Sequence, residues 1–110
     1  MTEVLHKMGI RVILQTITPR LGVARYIGIY TREMEEQRLL FNDWIRSAGL
    51  FDYMFDAEAV VSEERADGVY FREDLQRGDH LHPNEKGGQM LADAIDLAML
   101  TGESEKISRR

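Results

Sequence analysis

Cysteine is absent from this 110-residue chain, which excludes disulfides and thiolate metal sites. Proline is scarce: the two present, Pro19 and Pro83, each stand at the edge of an expected element. No apolar run approaches the roughly 20 residues of a transmembrane helix, so no membrane span is expected. Met1 to Met8 does not read as a signal peptide. A basic surplus is also missing. The net charge is −5, so neither a nucleic acid nor an anionic membrane is an expected partner.

What remains is an ordinary globular mixture, 44% hydrophobic and 30% charged, of a size for one domain. Residues 1–102 are expected to form it, with 103–110 as a polar, frayed tail. Met1 to Met8 reads as a helix stopped by Gly9. Ile10 to Ile17 reads as a β-branched strand that Thr18-Pro19 ends.

A helix is expected from about Arg32 to Ala48, with Thr31 as N-cap and Gly49 as stop. Its apolar face is Phe41, Trp44, Ile45 and Ala48, which the spacing assigns to the core. Glu33, Glu35, Glu36 and Arg38 read as a solvated face. Phe51 to Asp56 suggests a second strand.

Ala57 to Gln76 has two readings. Ala57 to Arg65 can be a short helix, or an Asp67-Gly68 turn can join Ala59-Val60-Val61 to Val69-Tyr70-Phe71 as a hairpin. The last helix starts at the N-cap Asn84, carries a stripe of Met90, Leu91, Ala94, Ile95 and Ala98, and stops at Gly102. Alternating helices and strands predict an α/β fold with a parallel sheet. Two strands are few for such a sheet, so the chain reads as part of a larger one.

Asp79-His80-Leu81-His82-Pro83-Asn84 holds the chemistry. A carboxylate three residues before a histidine can fix one ring nitrogen and leave the other as a base. His82 is the candidate base and Asp79 its orienting acid. Two imidazoles and a carboxylate at Asp79, His80 and His82 also allow a metal reading. Loops at strand C-termini line ligand crevices in α/β sheets, which makes Thr18, Pro19 and the following loop, with Tyr26 and Tyr30, candidate pocket walls.

Asp79-x-x-His82-Pro83-Asn84, followed by Gly87 and an amphipathic helix, resembles the C-terminal block of the SGNH (GDSL-type) hydrolases. Arg11 to Pro19, Arg38 to Arg46 and Phe51 to Asp56 resemble that family's late strand, the helix after it and its last strand. The resemblance implies the C-terminal half of a flavodoxin-like three-layer α/β/α fold. It also implies hydrolysis of a small-molecule, carbohydrate or lipid ester without a cofactor or metal. Asp79 and His82 would then be catalytic, with Thr18, Pro19 and His80 as substrate-binding candidates.

The family's Gly-Asp-Ser and Gly-x-Asn-Asp blocks do not occur here. The serines are Ser47, Ser62, Ser104 and Ser108, none in a strand-to-turn setting. The isolated chain is therefore expected to be inactive, and to need a missing N-terminal half or a second copy. The alternative is a non-catalytic interaction domain that pairs through an open sheet edge.

Overall fold

A computed structural model describes residues 2–23, 25 and 28–101. The elements are α1 (Thr2–Lys7), β1 (Ile13–Gln15), α2 (Arg32–Ala48), β2 (Tyr53–Phe55), α3 (Ala57–Val61), β3 (Ser62–Arg65), β4 (Gly68–Phe71), a 3-10 turn (Glu73–Leu75), α4 (Glu85–Ala94) and α5 (Leu97–Thr101). The chain is thus a mixed α/β structure. Among the described residues β1 and β2 form a parallel pair, and β3 and β4 an antiparallel one. No helix there is long and apolar enough to cross a membrane. The expected tail, 103–110, lies outside the described residues, as does the expected stop at Gly102.

The parallel pair runs in the register Ile13↔Tyr53, Leu14↔Met54 and Gln15↔Phe55. Thr16 N donates to Phe55 O, and Val12 O accepts from Tyr53 N, so the even-numbered residues of the first strand bond toward the second. Alternation then turns the backbone groups of Ile13 and Gln15 to the opposite edge, which pairs with no other strand among the described residues.

Local signals set the ends of α2. Thr31 Oγ1 accepts from Met34 N at 3.2 Å, and Gly49 takes a positive φ of 64° that suits glycine. Its inward face is mostly polar, with only Ile45 of the expected apolar face fully buried. The buried residues are Glu35, Arg38, Asn42 and Ile45. Phe41 and Trp44, expected in the core, are 46% and 47% exposed and stack on each other at 5.9 Å.

The polar ends of the two strands explain the inversion. Asn42 takes both backbone groups of Ile17. Arg38 Nη1 donates to Ile17 O at 3.0 Å, pairs with Glu58, and meets Glu35 through Nε at 2.8 Å. Arg46 bridges Asp56 and Glu58 at 2.8 and 2.7 Å. Thr16 Oγ1 donates to Asp56 and accepts from Glu58 N. A buried charge requires such partners. Burial favours neutral Glu35, but the hydrogen bonds from Arg38 and Tyr30 outweigh it and hold its carboxyl below the usual range. Burial, with Glu35 alongside, pushes the Tyr30 hydroxyl up to about 12.

Both readings of 57–76 hold in part. Asp56 caps α3 by accepting from Ala59 N at 3.2 Å, so Ala59-Val60-Val61 is helical and cannot pair as a strand. The hairpin forms three residues later on its first strand, from Ser62↔Phe71 to Arg65↔Gly68. Val61, Phe71 and Leu75 make the buried apolar cluster, with Val60, Met90 and Leu91 packed on it.

The final helix is interrupted. Ile95 ends α4, and Asp96 Oδ1 accepts from Ala98 N at 2.9 Å to start α5. Only the Met90–Leu91 part of the expected stripe reaches the core, and Ile95 is 37% exposed.

Candidate active site

The segment between the 3-10 turn and α4 closes on itself. Gln76 and Pro83 form an isolated antiparallel bridge, and Arg77 N donates to His82 O at 3.0 Å. Asn84 finishes the closure. Its Oδ1 caps Gly87 N at 2.8 Å, its Nδ2 donates to Asp74 O at 3.0 Å, and its backbone N donates to Leu75 O at 2.9 Å. One side chain thereby starts a helix and ties the loop to the core beneath it.

Asp79 sits near the tip. Its Oδ1 accepts from Leu81 N at 3.0 Å and His82 N at 2.9 Å, a local turn that aspartate favours. The other oxygen, Oδ2, stands 2.5 Å from His82 Nδ1. The His82 side chain, with the backbone amides of His82 and Leu81, holds the Asp79 carboxyl well below the usual carboxylate range. The carboxylate therefore accepts from Nδ1–H, and the lone pair is left on Nε2. His82 is 63% exposed, and Nε2 has no partner among the described residues. The ring can thus accept a proton from an incoming group.

His80 takes another direction. It holds a positive φ of 61°, and its Nδ1 lies 3.3 Å from Gln76 Nε2. The ring rests against Gly22, where an added Cβ would stand 2.9 Å from His80 Nδ1. The loop after β1 and the His82 loop therefore meet at this contact. Thr18 is half-buried, and Pro19 is fully buried. Beyond them runs a groove of about 810 Å³ lined by Ile17, Arg20, Ile29, Tyr30, Met34 and Phe41. Tyr26 lies outside the described residues.

Among the described residues, no three His, Asp or Glu side chains gather as ion ligands. Ser47 Oγ is taken by its own helix, donating to Asp43 O at 2.9 Å. Ser62 begins β3, opposite Phe71. Ser104 and Ser108 lie outside the described residues.

Two features had no sequence signal. A second histidine–carboxylate pair joins His6 Nε2 to Asp52 Oδ2 at 2.8 Å, and the same oxygen accepts from Val12 N at 2.6 Å. It lies at the N-terminal ends of β1 and β2 and staples α1 to the sheet. The other is Gln76, buried inside the His82 loop.

Comparison with known proteins finds no matching family model and no matching curated protein.

Proposed function

We propose that this chain contributes the base and the orienting acid of a serine-dependent ester hydrolase. One observation carries the reading: Asp79 Oδ2 lies 2.5 Å from His82 Nδ1, while Nε2 is open to an approaching group. In the reaction, Nε2 takes the proton of a serine hydroxyl as its oxygen attacks the ester carbonyl carbon. The imidazolium then protonates the leaving alkoxide. A water, deprotonated by the same nitrogen, cleaves the acyl-enzyme and restores the serine. Asp79 holds the ring and offsets its positive charge in both halves. The chemistry needs no cofactor, and the substrate class is a small-molecule, carbohydrate or lipid ester.

The serine and the oxyanion donors come from another segment, either an N-terminal half or a second copy. In this reading β1 and β2 are the last strands of a flavodoxin-like three-layer α/β/α sheet. The open edge at Ile13 and Gln15 is where the rest of that sheet would pair. Loss of a serine nucleophile removes on the order of a million-fold in turnover. The purified chain is therefore expected to hydrolyse p-nitrophenyl acetate no faster than free imidazole. Fusion behind a Gly-Asp-Ser-bearing N-terminal half is expected to restore turnover that His82→Ala and Asp79→Asn abolish. Unchanged turnover in the His82→Ala fusion overturns the assignment, and brisk turnover by the chain alone overturns the need for an outside serine.

A second reading is a non-catalytic domain that joins a partner through the same edge. The exposed Phe41–Trp44 stack favours it, because large unpaired apolar surface commonly marks an interface. Light scattering discriminates: a monomer up to high concentration counts against self-pairing.

A further inference from the structure

We propose that Gln76 is the positioning residue of the Asp79–His82 pair; this rests on the reading of that pair given above. Gln76 is 7% exposed, and a buried carboxamide needs partners. It finds them inside its own loop. Oε1 accepts from Gly78 N at 3.2 Å and from His80 N at 2.7 Å, and Nε2 faces His80 Nδ1 at 3.3 Å. Two N–H donors on one atom settle which end of the amide is oxygen.

The residue between those two donors is Asp79. One buried atom therefore brackets the catalytic carboxylate along the chain. The turn that allows this is costly. Gly78 and His80 both take positive φ, 100° and 61°, and histidine tolerates that conformation only where its surroundings over-determine it. Gln76 supplies that constraint from inside the loop, and the contact of His80 with Gly22 supplies it from outside. The next link is also in place. Asp79 Oδ1 holds His82 N, which sets the distance from Oδ2 to the ring. Among the described residues no other acceptor takes the Gly78 amide. With Oε1 removed, the tip at 77–82 relaxes, and the carboxylate–imidazole contact becomes transient.

The test is proton–nitrogen correlation spectroscopy of the ¹⁵N-labelled full chain, read at the His82 ring and at the backbone amides. The native chain is expected to hold His82 with its proton on Nδ1. Gln76→Met keeps the side-chain length and removes the acceptor. In that variant the Gly78 and His80 amides are expected to exchange about tenfold faster or more, and the His82 ring to move to the mixed tautomers of free imidazole. The amides of Val61, Phe71 and Leu75 should keep their protection. Gln76→Glu retains an oxygen at the same place and is expected to preserve the His82 signature.

An unchanged His82 ring in Gln76→Met overturns the proposal. So does loss of core protection together with the loop, since the amide would then be serving the core. A Gln76→Glu variant that behaves like Gln76→Met overturns the acceptor role. The pair itself is tested separately: Asp79→Asn with an unaltered His82 tautomer removes the acid–base reading whatever Gln76 does.

Discussion

The carboxamide of Asn42 holds both backbone groups of Ile17. Ile17 N donates to Oδ1 at 2.7 Å, and Nδ2 donates to Ile17 O at 2.8 Å. A helix side chain thus completes hydrogen bonds that an adjacent strand would otherwise make, just beyond the end of β1. Asn42 is fully buried, so its removal leaves the Ile17 N–H desolvated without a partner, while Ile17 O keeps Arg38 Nη1. Such a group costs about 1–3 kcal/mol. Asn42→Ala is expected to lower the urea midpoint accordingly without changing the slope of the transition. Asn42→Asp should be at least as harmful, because it sets a carboxylate against the Ile17 carbonyl.

Arg38 carries a larger share of the same interface. Arg38→Met leaves the Glu35 carboxylate buried without its cation and Glu58 with Arg46 alone, at an expected cost of about 3–5 kcal/mol. That is a large part of a small domain's stability. Replacing Arg38, Glu35 and Glu58 together by apolar residues of similar volume should recover most of the loss. A triple variant as unstable as Arg38→Met would contradict this account of the cost.

Trp44, the single tryptophan, is a direct probe of the helix's outer face. With the ring half exposed, native fluorescence is expected to be readily quenched by acrylamide. Trp44→Gln should change stability by about 0.5 kcal/mol or little more, as for an exposed site. A shielded indole in the monomer, or a loss of several kcal/mol, would mean that this face is core after all.

The acid limb of stability has a definite sign. Arg46, helped by Thr16 and the Ala59 amide and opposed by burial, holds the Asp56 carboxyl below its usual range; Glu35 is lowered as well. A folded-state value below the unfolded one gives stability that is fully present above the unfolded value, about 4 for carboxylates. It is lost as pH falls through the lower folded value. Urea midpoints should therefore drop from about pH 4 downward, and Arg46→Leu should flatten that limb. A steeper acid limb in Arg46→Leu would refute the assignment.

Legibility from sequence followed the range of the interaction. Thr31, Gly49 and Asn84 act on amides or backbone within a few residues, and the chain alone identifies all three caps. The Asp79–His82 contact spans three residues and is readable for the same reason. The inner face of α2 is not, because Arg38 and Asn42 are buried by Ile17, just beyond β1, and by Glu58 on α3. Hydropathy placed Phe41 and Trp44 inside, since it cannot register that polar ladder. The hairpin register was obscured by one cap: Asp56 makes Ala59 to Val61 helical and moves the pairing on to Ser62. Gln76 acts only two and four residues away, yet glutamine has no turn preference that would mark it.

Gly87 stands in the first turn of α4, where glycine weakens a helix by about 1 kcal/mol relative to alanine. An added Cβ there would lie 2.2 Å from Leu75 O, so the helix can seat against the 3-10 turn only without a side chain at this position. Asn84 and the His82 loop begin where that seat ends. The loop bearing His82 is consequently fixed to the core at the end that enters α4, and a larger side chain at position 87 would unseat helix and loop together.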